Sequence, residues 1–358
     1  MITRRNILTA ALLALPLASC SKESASGSAP SANGNVTLNG AGATFPYPLY
    51  SKWMSEYNAK NPNIRINYQS IGSGGGIRQI TARTVDFGAT DAPMTEDEVK
   101  KAPAKLIHIP TTMGAVVVTY NLEGVSAPLK LVPDVLADMY LGKISKWNDP
   151  RVVADNPGVT LPDKNISVVY RSDGSGTTAV FTEYLAKVSP TFKQDVGVGK
   201  SVKWPAGLGA KGNEGVTGQV KTTPGALGYV ELAYALQNKM PTAALKNKAG
   251  EFVTASIPAI TKAGAGAEMP DDLYVSITDS AGAGAYPISA YTYLLVYEDG
   301  ADAVKSKALA EFLWWAIHDG QSHAEALHYA PLPDPVMKKV EARLKTLKAG
   351  GKALLSGS

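Results

Sequence analysis

The chain has one cysteine, Cys20, in 358 residues. That excludes an intramolecular disulfide and a zinc site built on several cysteines. An excess of one charge is also missing. The 35 basic residues face 31 acidic ones, a net +4 that is too weak and dispersed to make nucleic acid the default partner. Removing the first 19 residues, which hold Arg4 and Arg5 but no acid, brings the remainder closer to neutral. After Cys20 no apolar run is long enough for a transmembrane helix. No internal repeat is present. Hydrophobic residues make up 45% and charged residues 18%, so the chain buries real cores and is not a disordered tail. Its length suggests two domains, and 34 glycines with 23 prolines imply many turns and backbone-rich loops.

The N-terminus has the layout of an export signal. Arg4-Arg5 forms a positive region, Ile7 to Leu17 is an apolar stretch too short to span a bilayer, and Leu17-Ala18-Ser19-Cys20 matches a bacterial lipobox. In that pattern residues 1–19 are removed and Cys20 is lipidated as the first mature residue. The alternative is an ordinary signal peptide with an incidental cysteine. Thr3 to Leu8 also fits a twin-arginine signal loosely, although general export signals carry paired arginines too. Residues 20–35, rich in Ser, Ala, Gly and Pro, have the composition of a flexible tether. The mature chain is thus expected outside the cytoplasmic membrane, as the periplasmic or outer-face domain of a lipid-anchored protein. Chemistry that needs cytosolic ATP or NAD is out of reach there, and no cofactor is expected.

Strand-like and helix-like patterns alternate along the mature chain. Ile64, Ile66 and Tyr68 alternate as in a strand, and Ile77, Ile80 and Thr84 space as on a helix. Val116 to Val118 is a short buried strand; Val135, Met139 and Tyr140 suit a helix. Ile166 to Tyr170 is a strand followed by a helix face at Val180, Phe181, Tyr184, Leu185 and Val188. Leu294 to Val296 is a late strand, Ala308 to Ile317 a buried helix, and Met337 to Leu347 a basic amphipathic helix. The alternation predicts an α/β fold with largely parallel sheets.

Three segments share one design, a Gly/Ser/Thr stretch between a strand pattern and a helix pattern. They are Gly40 to Pro46, Gly72 to Gly76, and Arg171 to Thr178. Glycine lets backbone approach a ligand, Ser and Thr add hydroxyls, and a helix start offers unpaired N–H groups with partial positive charge. Together these suit a small oxyanion. Each alone is equally a plain helix cap. Arg171 adds a fork of charge-assisted donors that matches a tetrahedral anion. None of the three holds the Gly-Lys-Ser/Thr of a Walker loop. Asp91, within Asp86 to Pro93, is the exception among these donors. It is either a loop or capping aspartate, or an acceptor beside the anion. The second role requires a ligand that carries a proton, as phosphate does near neutral pH and sulfate does not.

These segments resemble the PstS-type phosphate-binding proteins of bacterial ABC phosphate importers. Gly40 to Pro46, Tyr68 to Gly76 and Val85 to Pro93 appear in that family's order and spacing. So do Tyr140 to Ile144 with Trp147, Asp173 to Thr177, Lys203-Trp204-Pro205, Gly207 through Gly215, and Pro224 to Glu231. The match covers the chain from about Leu38 to the C-terminal helix.

The resemblance implies a two-lobed, type II Venus-flytrap binding protein whose chain crosses between lobes twice. Residues 36–118 plus 289–358 form lobe I and residues 119–288 lobe II. It further implies that inorganic phosphate sits dehydrated between the lobes. Thr44, the Phe45 N–H and Ser73 contact it from one side, and Asp91 accepts its proton. Arg171, Ser175, Gly176 and Thr177 clamp it from the other, with Asp173 orienting Arg171. Such a protein is a monomer that performs no bond chemistry and delivers its anion to the membrane permease subunits. Three departures stand out, the first being the lipobox, which points to a tethered version where some relatives are free periplasmic proteins. Residue 170 is Tyr where some relatives carry a second basic residue, and Glu251 to Tyr286 fits the family poorly.

Other patterns point elsewhere more weakly. Gly207 to Gly212 satisfies G-x-G-x-x-G but follows Trp204-Pro205 and lacks a suitably placed acid, which argues against a dinucleotide. His318, His323 and His328 are five apart and do not stack on one helix face as metal ligands. Gly174-Ser175-Gly176 lacks the hydrolase elbow pattern. The five tryptophans suit packing. The rival readings are a protein for another tetrahedral oxyanion such as sulfate or arsenate, a secreted phosphatase-like enzyme, and an adhesin or sensor. The enzyme would need a metal set or an activated nucleophile, and neither is evident.

Overall fold

The computed structural model describes residues 34–125 and 128–355. The leader 1–19, Cys20 with its expected lipidation, and most of the tether lie outside the described residues. The chain opens with β1 (Val36–Gly42), α1 (Tyr47–Lys60), β2 (Ile64–Ser70), α2 (Ser73–Thr81), β3 (Phe87–Thr90) and α3 (Glu96–Lys101). One long strand follows, β4 (Leu106–Tyr120). Next come β5 (Lys130–Leu131), α4 (Pro133–Tyr140), α5 (Pro150–Asp155), β6 (Ser167–Arg171), α6 (Gly176–Val188), α7 (Pro190–Asp195) and β7 (Leu208–Ala210). Then follow α8 (Gly212–Thr222), β8 (Ala226–Glu231), α9 (Leu232–Gln237), β9 (Ala244–Lys246), β10 (Phe252–Val253) and α10 (Ile257–Ala265). Finally β11 (Ser289–Tyr297), α11 (Ala303–Ile317) and α12 (Asp334–Leu344) lead toward the C-terminus.

The expected alternation is present: β2, α4, β6, α6, β11 and α11 fall on their patterns, while α2 stops at Thr81, short of Thr84, where Arg83 takes a positive φ, and α12 stops at Leu344, short of Leu347. The sheet itself differs from expectation. Its eight strands run in the order β2-β1-β3-β11-β4-β8-β6-β7. The two arms are parallel, but β11 is antiparallel to both β3 and β4, and β4 is antiparallel to β8. Parallel neighbours need a crossover helix between them. The arms have such helices in α1, α2 and α8, whereas β4 and β11 carry the chain between the arms and meet head to tail. Val116 to Val118 is the end of β4 and not a separate short strand. Residues Leu106 to Ala115 pair with β11, and Val116 to Tyr120 pair with β8. The register shifts opposite Thr292 and Tyr293, which leaves Thr111 as an extra residue beside Pro110. Proline lacks the N–H a regular ladder needs, so a bulge is the expected place for it. Trp53 and Trp147 are fully buried and donate to the Gly320 and Gly225 carbonyls at 2.6 and 3.0 Å, while Trp204, Trp314 and Trp315 pack at the core's edge.

Helix α2 lies against β1 and β3 with no room to spare. A Cβ on Gly76 would stand 2.5 Å from Gly42 Cα and 2.6 Å from the Ala41 carbonyl oxygen, both backbone atoms that cannot swing away. Helix propensity alone would favour Gly76→Ala by about 1 kcal/mol. The clash outweighs it, and the variant is expected to lose about 1–3 kcal/mol. A thermal melt checks this, and an unchanged or raised Tm would contradict the tight seat of α2. Among the described residues no helix is long and apolar enough to cross a membrane.

Candidate functional site

Each expected site residue stands where a strand ends or a helix begins. Thr44 and Phe45 follow β1, Ser73 opens α2, and Asp91 follows β3. Arg171 ends β6, Ser175 is the N-cap of α6, and Gly176 and Thr177 form its first turn. All eight are buried. They also meet. The Gly176 N–H donates to Ser73 Oγ at 3.0 Å, across 103 residues of chain. The Asp91 N–H donates to the same oxygen at 3.3 Å, and Ser73 Oγ lies 3.5 Å from Asp91 Oδ2. A Cβ at Gly176 would fall on Ser73 and on the Asp91 carboxylate, so only glycine allows this approach. Gly74 donates to the Gly174 carbonyl at 2.8 Å, which joins the second loop to the third.

Arg171 is held by a fork. Its Nε and Nη2 donate to the two oxygens of Asp173 at 2.8 and 2.6 Å, and its Nη1 donates to Thr177 Oγ1 at 3.3 Å. Of five guanidinium N–H groups, these bonds leave one on each terminal nitrogen. Burial works against the Asp173 charge, but the Arg171 bonds and charge outweigh it and hold the carboxyl below its ordinary range. Asp91 has the opposite balance. Burial pushes its carboxyl up to about 7, against the Thr292 hydroxyl donating to Oδ1 at 2.8 Å, the Arg171 charge, and Ser73. The site therefore holds a locked cation facing a carboxyl that titrates near neutrality.

Sequence reasoning missed several contributors. Asn213, fully buried, donates from N and Nδ2 to Thr44 Oγ1 at 3.1 and 2.7 Å, and from Nδ2 to Thr177 Oγ1 at 3.1 Å. Tyr234 and Tyr329 donate to the carbonyls of Thr44 and Phe45 at 2.6 and 2.7 Å, fixing the first loop. Lys200 donates to Glu98 Oε2 at 2.8 Å and to the Pro93 carbonyl at 3.0 Å, while its own carbonyl accepts from the Ser175 N–H at 2.8 Å. Asn213 was hidden by its surroundings. It follows Gly207 to Gly212, which contains β7 and enters α8. The helix start that a pyrophosphate would occupy is filled by Asp173 Oδ1, 3.1 Å from the Gly212 N–H. Thr292 and Lys200 carry no local signal, because their partners are distant in sequence. His318 bonds to the Trp314 carbonyl and to Glu341, away from this network. Beside Asp91 opens a cavity of about 580 Å³, lined in part by Pro93, Val180, Lys200, Tyr274 and Tyr293. The segment Glu251 to Tyr286 thus supplies one of its walls.

A profile described as a PBP superfamily domain matches residues 27–319. The phosphate-binding protein PstS of Xylella fastidiosa is 49% identical over 311 residues, covering 86% of this chain and 85% of the relative. That of Haemophilus influenzae is 44% identical over 323 residues, covering 89% and 96%. A solved structure of a high affinity periplasmic phosphate-binding protein (PfluDING) bound with phosphate superposes with a TM-score of 0.69 at 23% identity, covering 88% of this chain and 97% of that one. At that identity the superposition speaks for the fold, while the closer sequences speak for the family. The chain belongs to the PBP superfamily and, within it, to the family of PstS phosphate-binding proteins.

Proposed function

We propose that this chain captures inorganic phosphate outside the cytoplasmic membrane and delivers it to the permease of an ABC-type phosphate importer. The observation that carries this reading is the partition of hydrogen-bonding capacity. Arg171 keeps two N–H groups unspent, and the hydroxyls of Thr44, Ser175 and Thr177 accept bonds from N–H groups without donating to a protein acceptor. Opposite them stands one carboxyl, Asp91. Many donors and a single acceptor suit a tetrahedral anion that carries one proton. Thr44, the Phe45 N–H, Ser73, Arg171, Ser175, Gly176 and Thr177 are the donors in this reading, and Asp91 takes the ligand's proton. The Ser73–Gly176 bond is exchanged for bonds to the anion. The chain binds without bond chemistry and acts as a monomer, tethered through Cys20.

The two lobes in this proposal are residues 36–118 with 289–358, and residues 119–288. The division is supported by the change of pairing partner between Ala115 and Val116 and by the start of β11 at Ser289. Bonds of Lys200 to Glu98 and of Asn213 to Thr44 then run between lobes and help closure around the ligand. Calorimetric titration of the mature chain, freed of carried-over phosphate, tests the reading. Tight one-to-one phosphate binding is expected, with a preference over sulfate that strengthens as pH rises above 7 and Asp91 ionises. A folded sample that does not respond to phosphate would end the transport proposal.

A further inference from the structure

We propose that Asn213 is a positioning residue of the anion site, which dictates that Thr44 and Thr177 act only as donors. The inference rests on the phosphate reading above and deepens it. Asn213 Oδ1 accepts from the Glu231 N–H at 2.9 Å. A backbone N–H only donates, so this bond fixes which end of the amide is oxygen and forces Nδ2 to the other side. There Nδ2 spends one hydrogen on Thr44 Oγ1 and the other on Thr177 Oγ1. Each hydroxyl receives a second donor as well. Thr44 Oγ1 takes the Asn213 N–H, and Thr177 Oγ1 takes Arg171 Nη1.

A hydroxyl oxygen has two lone pairs and one proton. Both lone pairs of both threonines are thus occupied by N–H groups, and the structure gives neither proton a protein acceptor. Free threonine hydroxyls rotate to suit either a donor or an acceptor on the ligand. These two present a proton and nothing else. Only unprotonated oxygens of the anion fit against them, which directs the protonated oxygen to Asp91. One amide thereby sets the ligand's orientation from both the first and the third loop.

Asn213→Asp isolates this role. It preserves size and the acceptor toward Glu231, but it replaces the shared donor by a carboxylate oxygen. Both hydroxyls then turn inward to donate. The charged and titratable groups around the Asn213–Thr44–Thr177 cluster are Arg171 on β6, Asp173 in the loop after it, Glu214 on α8, Glu231 at the end of β8, Asp91, and the Tyr234 and Tyr329 hydroxyls. Arg171 favours its ionised form and the acids oppose it.

Phosphate affinity of N213D is expected to fall about 10³-fold at pH 8, since two bonds to a charged ligand are lost. The ratio to wild type should narrow to about tenfold at pH 5, where a protonated acid again offers a donor. Taking the ratio cancels the titration of phosphate itself. Asn213→Ala, which leaves the hydroxyls free to rotate, should lose less at pH 8 and show no such narrowing. Equal losses in N213D and N213A without pH dependence, or wild-type affinity in N213D, would overturn the proposal. If N213D does not fold, Asn213→Ala and Thr177→Val measured singly and together decide it: a coupling of tenfold or more is expected, and additive losses overturn it. Failure of the wild-type chain to bind phosphate would instead remove the functional reading on which this rests.

Discussion

Replacing Arg171 with alanine is expected to weaken phosphate binding by about 3–5 kcal/mol, roughly 10²–10⁴ in Kd. The side chain is almost completely buried, so its two unspent N–H groups act where little water competes. Truncation also removes the charged partner of Asp173, whose side chain is only 12% exposed, and leaves it the Gly212 N–H. The neighbouring acid would then raise the cost of bringing any anion to the site. Arg171→Lys should recover little, because an ammonium cannot hold both oxygens of Asp173 and reach Thr177 with a fixed fork. Calorimetry on both variants measures this. Phosphate affinity within tenfold of wild type in Arg171→Ala would take Arg171 out of the site.

Asp91→Asn is expected to act on selectivity and on stability in opposite directions. Above pH 7, where the Asp91 carboxyl is ionised, sulfate meets a like charge that the amide removes, so the phosphate-to-sulfate preference should fall in Asp91→Asn by about tenfold for each pH unit above 7.

The stability effect follows from the raised carboxyl. Asp91 titrates near 7 in the folded chain, against about 3.9 when unfolded. The folded state holds the proton more tightly, so this contribution is complete below about pH 4 and is lost as pH rises through about 7. Phosphate-free Asp91→Asn should therefore exceed wild type in stability at pH 8 by a few kcal/mol, about 4 at most, and the difference should shrink toward pH 4. Buried Glu231, whose carboxyl is pushed well above its ordinary range by burial first and by the Asp91 charge as a lesser cause, contributes a slope to both proteins that is somewhat smaller in Asp91→Asn. Urea unfolding at pH 5 and pH 8 decides it. Parallel pH profiles for the two proteins would show that Asp91 is not the buried acid described here.

The elements that sequence located well are those whose signal is local. Glycine with hydroxyl residues between a β pattern and a helical one marked the turns that hold Thr44, Ser73 and Ser175, since each needs close backbone approach at a helix start. Long-range arrangement was less visible. Pro110 and Gly114 interrupt the apolar run of β4, so only Val116 to Val118 stood out as a strand. Nothing near β11 signals that it returns antiparallel between β3 and β4, because its direction is set by the path of the chain through the other arm. Asn213 lay behind a glycine pattern that suggests a different ligand, and its meaning depends on Thr44, 169 residues away. Thr292 looks like any threonine on an alternating strand until the fold lays it against Asp91.

The undivided course of β4 bears on how such a protein can be taken apart. Each arm of the sheet owns only part of that strand, so neither arm is complete without the other's stretch of chain. A fragment cut at the change of partner would expose unpaired backbone along an open edge, which invites association with other chains. The arms should consequently lose structure together as one cooperative unit. Exchange of a whole arm of the sheet between relatives, familiar in proteins joined by loose linkers, is therefore a poor route to new specificity for this architecture, and substitutions in the loops that hold Thr44, Ser73 and Ser175 are the accessible one.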